Sequence, residues 1–346
     1  MSQDEPLASP APATGSASDQ GSGSTAADDI DEPEGSEAPE PFRWKLNLAL
    51  FLATVASVFL TGARYVDEGP GPAGWRDTLR TLPSGWSFAV PLLAILLTHE
   101  FGHYIAARIH KVDASLPFFI PLPRFSPFGT MGAIISMRGR IRSRDALLDI
   151  GASGPLAGLV VALPVLIVGL AHSHVGPAEL HGVQEGQSLL YLGLKRLVLG
   201  PIPAGQDVFL GPMAFAGWTG LFITALNLIP IGQLDGGHIA YALFGLRQNR
   251  FARILHASLL GIFALNLIRF MIPIAQTHAW SQSGQAFGNA LPWLVWYVLL
   301  KLIMRSGGQD HPPTEPGELS PVRKGIALLS LVLFVLLFMP TPMAQY

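Results

Sequence analysis

The stretch FAVPLLAILLTHEFGHYIAA, Phe88 to Ala107, is one apolar run interrupted by His99, Glu100 and His103. Its length and apolarity predict a helix able to cross a membrane. In a helix, residues four apart lie on one face, so the HExxH spacing sets two imidazoles side by side with a carboxylate next to them. That group suits a zinc ion and a hydrolytic water. Ionisable side chains inside a membrane span are costly, which makes these three the first candidates for chemistry.

Working outward, the composition agrees with a membrane protein. Of the 346 residues 49% are hydrophobic and 13% charged, against about 25% charged in ordinary soluble domains. The mean hydropathy is +0.39. A net charge of -2 leaves no basic footprint for nucleic acid. The chain has no cysteine, so disulfides, iron–sulfur clusters and thiolate zinc sites are excluded. A metal would have to use His, Asp or Glu.

Residues 1–41 are rich in Ser, Pro, Gly, Ala, Asp and Glu, lack Lys and Arg, and read as a disordered acidic cytoplasmic tail. The tail has neither the basic start and apolar core of a signal peptide nor the basic, acid-poor composition of a transit peptide.

Seven apolar segments are candidate spans: Leu46–Ala63, Trp86–Ile109, Ala146–Ala171, Met213–Pro230, Ile254–Pro273, Phe287–Ile303 and the shorter Gly325–Met339. Leu189–Leu199 contains Lys195 and Arg196 and reads as an interfacial helix. With the amino terminus in the cytoplasm, sixteen of the Lys and Arg residues fall on the cytoplasmic side and six on the other, which favours that orientation. The expected fold is therefore an all-α polytopic membrane protein of about seven transmembrane helices. A membrane-associated β-hairpin or re-entrant loop follows the second. It lies within 112–145, whose Pro117–Gly129 stretch is greasy and Pro-rich and whose Thr130–Met137 stretch has strand character. A place at the membrane surface is expected for it, with its backbone covered by protein. The organisation reads as the tail (1–41), a first helix and outer loop (42–85), a core (86–240) and carboxyl-terminal helices (241–346).

Two histidines do not complete a catalytic zinc site; a third protein ligand is needed. Asp235 fits best. It follows Asn227 and Pro230 in NLIPIGQLDGGH, residues 227–238, where Pro230 and Gly232 break the fourth span. In the predicted topology the second and fourth spans run in the same direction, so His99 and Asp235 both fall toward the cytoplasmic side. Among the remaining polar groups, His238 reads as structural, Tyr104 as packing and His110 as interfacial, while Asn266 and Arg269 are expected to pair within the bundle.

Three motifs in this order resemble the site-2 protease family of intramembrane zinc metalloproteases, peptidase family M50. They are HExxH at 99–103, the small-residue run GASGPLAG at 151–158, and N-x-x-P-x-x-x-x-D-G from Asn227 to Gly236. The greasy loop looks like that family's membrane-associated hairpin, and the family's frequent PDZ domain is missing. The resemblance covers roughly 86–240. It implies one Zn2+ held by His99, His103 and Asp235, and Glu100 as general base toward the zinc-activated water. Asn227 is the candidate for holding the substrate backbone or the oxyanion. It further implies cleavage of peptide bonds in transmembrane segments of membrane-protein partners. Composition heavy in Ala, Gly and Pro points to a bacterial inner membrane. The oligomeric state stays open. Two rival readings compete with this one. A membrane zinc protease with a cytoplasmic active domain needs a later Glu ligand, and the next Glu is Glu179. A non-enzymatic transporter or sequestering relative has no need of all four of His99, Glu100, His103 and Asp235.

Overall fold

The structure is a computed structural model that describes residues 44–66, 75–138, 141, 143–178, 182–307, 314–315 and 317–345. The acidic segment 1–41 lies outside the described residues. The chain begins with α1 (Trp44–Val66), α2 (Trp75–Thr81) and, after a short 3-10 turn, α3 (Trp86–Ile109). Four strands follow: β1 (Asp113–Ala114), β2 (Phe118–Pro121), β3 (Thr130–Ile134) and β4 (Met137–Arg138). Then come α4 (Arg144–Ala171), β5 (His174–Pro177), β6 (Val183–Glu185), α5 (Leu189–Leu199) and β7 (Gln206–Phe209). The last elements are α6 (Pro212–Asn227), α7 (Asp235–Phe244), α8 (Arg247–Thr277), α9 (Ser283–Gly307), α10 (Pro321–Leu337) and β8 (Met343–Gln345).

Among the described residues five helical segments are long and apolar enough to cross a membrane: Trp44–Val66, Arg76–Ile109, Arg144–Ala171, Arg247–Thr277 and Trp280–Arg305. The expected count of seven is not confirmed. The fourth expected span ends at Asn227 and gives a helix of 16 residues, because the chain turns before α7. The seventh forms α10, of 17 residues. The helix α5, of 11 residues, rises only about 16 Å and does not span. The fold is also not purely helical: four two-stranded antiparallel ladders pair β1 with β4, β2 with β3, β5 with β7 and β6 with β8.

The core is α3, α4 and α6, packed through small residues. An added Cβ on Gly102 would lie 2.6 Å from the Ser153 carbonyl oxygen, and one on Gly217 would lie 2.7 Å from the Leu166 backbone. One on Gly220 would meet Ile95 and Ala162. Only helices without side chains at these points approach so closely. Contacts of Gly169 with Ala214 and of Leu166 with Gly217 make α4 and α6 antiparallel. Ile95 against Gly220 and His99 against Asn227 make α3 and α6 run the same way. Leu166, Trp218, Leu221 and Ile239 are fully buried here.

The β2–β3 hairpin lies along α1 instead of at one end of it. Asn47 Nδ2 donates to the carbonyls of Leu116 and Pro117 (2.9 and 3.1 Å), Ser57 Oγ donates to the Gly129 carbonyl, and the Tyr65 hydroxyl donates to the Pro127 carbonyl. From Asn47 to Tyr65 α1 rises about 27 Å, close to the thickness of a bilayer's hydrocarbon core, about 30 Å. Of the two forms expected from the sequence, hairpin or re-entrant loop, the segment is a hairpin running beside most of a span. Its carbonyls are satisfied by a row of polar side chains on one helix, which is how irregular backbone is tolerated at that depth. At the tip Gly129 has φ +76° and sits against Thr61 and Ser57, where a side chain has neither the conformation nor the room. Beside the tip, Phe128 packs on Phe215, Trp218 and Phe222 of α6.

At the end of α5 and α6 opposite Asp235, a polar cap holds Lys195. Its ammonium lies 3.3 Å from Glu185 and 3.7 Å from Asp207, with a side chain only 6% exposed. The Tyr191 hydroxyl donates to Glu185 at 2.7 Å. Burial, with the Glu185 carboxylate beside it, pushes the Tyr191 phenol above its usual range, so it remains a donor. Trp218 Nε1 donates to the Gly186 carbonyl, fastening the cap to α6.

Candidate metal centre

Helix α3 supplies His99 and His103, both buried, from successive turns. Asp235 arrives from a different part of the chain. Helix α6 stops at Asn227, Pro230 cannot continue it, and Gly232 turns the chain at φ +56°. The chain then restarts as α7 with Asp235 as its first residue. Gly236 and Gly237 lie hard against the carbonyls of Leu228 and Gly232, so the turn closes only without side chains there.

The three ligand atoms converge. His99 Nε2 is 3.2 Å from His103 Nε2, and Asp235 Oδ2 is 3.4 Å from the first and 3.3 Å from the second. A tetrahedral zinc ion with ligands at about 2.0–2.1 Å sets its ligand atoms about 3.3–3.4 Å apart. The near-equal triangle therefore matches the ligand spacing that a tetrahedral zinc ion would need. Two imidazoles and one carboxylate are also a donor set that zinc accepts without cysteine. His103 Nδ1 lies 2.7 Å from the Ile150 carbonyl. A carbonyl only accepts, so Nδ1 carries the proton and Nε2 keeps its lone pair for a metal.

The small-residue run of α4 is the floor of the site. Gly158 stands under His99, 3.3 Å from its Cβ and Nδ1 as measured from an added Cβ. Gly154 stands under the His103 ring, which fills the space a Cβ would take. Gly151 stands under the start of α7, 3.2 Å from the Asp235 carbonyl and 2.9 Å from His238 Cβ on the same measure. Each glycine thus faces one of the three ligand-bearing positions, and their spacing of three and four residues keeps them on one helix face.

A cavity of about 200 Å³ opens at the triangle, lined among others by Glu100, Asn227, Gln233, Ile134 and Ile135. Glu100 is buried beside His99 in the chain, and Asn227 Nδ2 stands 3.2 Å from His99 Nε2. All five residues singled out in the sequence, His99, Glu100, His103, Asn227 and Asp235, are brought together. His238 lines the cavity as well. Tyr104 packs on Phe101. His110, at the end of α3, has its Nε2 2.8 Å from Asp149 Oδ2. Asn266 is paired within the bundle, donating to the carbonyls of Ile262 and Pro340 and accepting from the Thr341 hydroxyl, and the Arg269 guanidinium lies over Phe270. Glu179 lies outside the described residues. No local signal marked Asp149, whereas the stretch given strand character, Thr130–Met137, supplies the cavity wall at Ala133, Ile134 and Ile135. The polar residues Asn47, Ser57, Thr61 and Tyr65 inside the first span were the visible signal for the hairpin.

A model of peptidase family M50 matches residues 87–269, from α3 through most of α8. Among known relatives, "Probable zinc metalloprotease EGY2, chloroplastic" of Oryza sativa subsp. indica is 31% identical over 242 residues, 68% of this chain and 42% of that protein. The Arabidopsis thaliana protein of the same name is 32% identical over 242 residues, 68% of this chain and 41% of that protein. "Probable zinc metalloprotease EGY1, chloroplastic" of Oryza sativa subsp. japonica is 37% identical over 229 residues, 59% of this chain and 38% of that protein. The chain thus spans about two fifths of the length of these relatives. No solved structure matches it. The relatives carry chloroplast names, which gives no support to the bacterial inner membrane expected from composition. With the family match covering more than half of the chain and enclosing the two histidines, the aspartate and the glycine floor between them, the chain belongs to peptidase family M50.

Proposed function

We propose that this chain is an intramembrane zinc endopeptidase that hydrolyses peptide bonds within or near the membrane-spanning segments of other proteins. The observation that carries the proposal is the triangle of His99, His103 and Asp235 at zinc-ligand spacing, set among helices long enough to cross a bilayer. One zinc ion, when bound there, would supply a Lewis acid that polarises the peptide carbonyl and acidifies the attacking water.

The residues of the chain do the rest. Glu100 takes the proton that water loses as its oxygen adds to the carbonyl carbon. It returns that proton to the amide nitrogen as the C–N bond breaks, leaving a carboxylate and an amine. Asn227, through its amide, donates to the substrate carbonyl oxygen as negative charge gathers there. A helical substrate has its carbonyls already bonded and must unwind before attack. Ala133, Ile134 and Ile135 form one wall of the cavity, and this strand edge offers an unwound segment a partner in extended conformation. The bias of Lys and Arg favours a cytoplasmic amino terminus, with the site toward the cytoplasmic side.

The test is Glu100→Gln, which keeps size and removes the base. Purified in detergent and assayed on a panel of single-pass membrane segments, it retains zinc and loses cleavage by about a hundredfold or more. Cleavage at the wild-type rate contradicts the proposal. Cross-linking the same variant to its bound partner, followed by mass spectrometry, identifies the substrate.

A further inference from the structure

One ionic cluster lies outside the site and joins three helices. Asp149, on the first turns of α4, accepts from Arg323 of α10 through Nε (3.0 and 3.1 Å) and Nη2 (2.7 Å). Its Oδ2 also lies 2.8 Å from Nε2 of His110, the residue that ends α3. Arg323 Nη1 reaches Asp145, one turn earlier on α4, at 3.0 Å. The Asp149, His110 and Arg323 side chains are 25%, 22% and 30% exposed, so the cluster is neither a surface pair nor a fully buried one. Nothing in the hydrolytic steps uses it.

Its position relative to the metal triangle gives it a role. Asp149 is followed by Ile150, whose carbonyl meets His103 Nδ1. His110 lies seven residues beyond His103, two turns further along the same face of α3. The two helices are therefore tied twice over one short stretch: His110 to Asp149, and His103 to Ile150. The register between α3 and α4 decides whether Gly154 lies under the His103 ring and Gly158 under His99. A slide of α3 by even a fraction of a turn drives an imidazole into the α4 backbone or leaves Nδ1 without its acceptor. Packed interfaces of this kind do not deform continuously.

We propose that Asp149 is a positioning residue for the metal centre, fixing the register of α3 against α4 through His110 and held in place by Arg323 of α10. The proposal rests on the zinc reading above. It makes α10, which contributes no ligand, part of what orients His103. Partners that fix the orientation of a metal-bound histidine typically change metal affinity about 10- to 100-fold when removed. Asp149 acts one step further out, through His110 and the helix register that sets the Ile150 carbonyl against His103, so the lower end of that range applies.

The experiment uses the full chain in detergent with two variants, Asp149→Asn and Arg323→Gln. Zinc affinity is measured by competition with a chromogenic chelator, site geometry by the visible spectrum of the cobalt-substituted protein, and fold by far-ultraviolet circular dichroism. The expected result is a loss of zinc affinity of about tenfold in Asp149→Asn, a smaller loss in Arg323→Gln, and a shifted cobalt spectrum in both, with helical signal unchanged. Should Asp149→Asn fail to fold, Arg323→Gln, which leaves Asp149 and His110 in place, decides alone. Wild-type affinity and spectrum in the folded variants overturn this inference while leaving the zinc reading intact, as does a loss of zinc that tracks loss of helix. Wild-type protein that takes up no zinc overturns the zinc reading and this inference with it.

Discussion

The His103 imidazole fills the space that a Cβ on Gly154 would need, and its Nδ1 bonds the Ile150 carbonyl four residues earlier on the same helix. The glycine is therefore part of the metal site although it carries no ligand atom. Replacing it with alanine separates two effects of opposite sign. Alanine is intrinsically better than glycine in a helix by about 1 kcal/mol, so helix α4 gains. The ring of His103 is displaced, so the triangle opens. Gly154→Ala is expected to keep its helical signal and lose zinc affinity by about tenfold or more, measured by chelator competition. Gly158→Ala, whose nearest contacts to His99 are 3.3 Å, is expected to lose less. Equal, native affinity in both variants would show that the floor does not position the ligands.

The hairpin gives a second expectation. Ile135 follows β3 and lines the cavity without belonging to the β2–β3 ladder. Proline there removes a backbone donor from the strand edge and leaves the metal ligands untouched. Ile135→Pro is expected to lower cleavage while zinc stays bound at one per chain, read by a cleavage assay beside metal analysis. Unchanged cleavage removes the strand edge from the account of substrate binding.

The polar cap yields a stability prediction. Lys195→Ala leaves Glu185 and Asp207 without the ammonium that faces both. Breaking a buried pair from one side costs about 3–5 kcal/mol, which should appear as a marked drop in the thermal unfolding midpoint. The neighbouring Arg196 is exposed, and Arg196→Ala is expected to change stability by less than about 0.5 kcal/mol. Similar midpoints for the two variants would mean that the cap does not hold the fold.

Much of the site was legible because its signals are local. The spacing of His99 and His103 states their shared face, and Pro230 with Gly232 announces the break that frees Asp235. Joining the two needed only the direction of the spans. The glycine run at 151–158 could be read as a helix contact, but not as one glycine per ligand position, because that pairing depends on the register of two helices distant in sequence. The depth of the hairpin was hidden for a similar reason: strand character in Thr130–Ile134 does not say what the strand lies against. Helix ends were harder to read than helix existence, because apolar composition runs past the end of a helix, as from Asn227 to Pro230. The bond between His110 and Asp149 joins residues thirty-nine apart in sequence, beyond any motif window, so His110 looked like an ordinary helix-end residue.

Metal analysis of the purified chain, wild type beside Asp235→Ala, tests the central claim most directly. The account predicts one zinc ion per wild-type chain, loss of that ion from Asp235→Ala, and loss of hydrolysis with it. Active wild-type protein that is free of metal, or an Asp235→Ala variant that hydrolyses at the native rate, would contradict it.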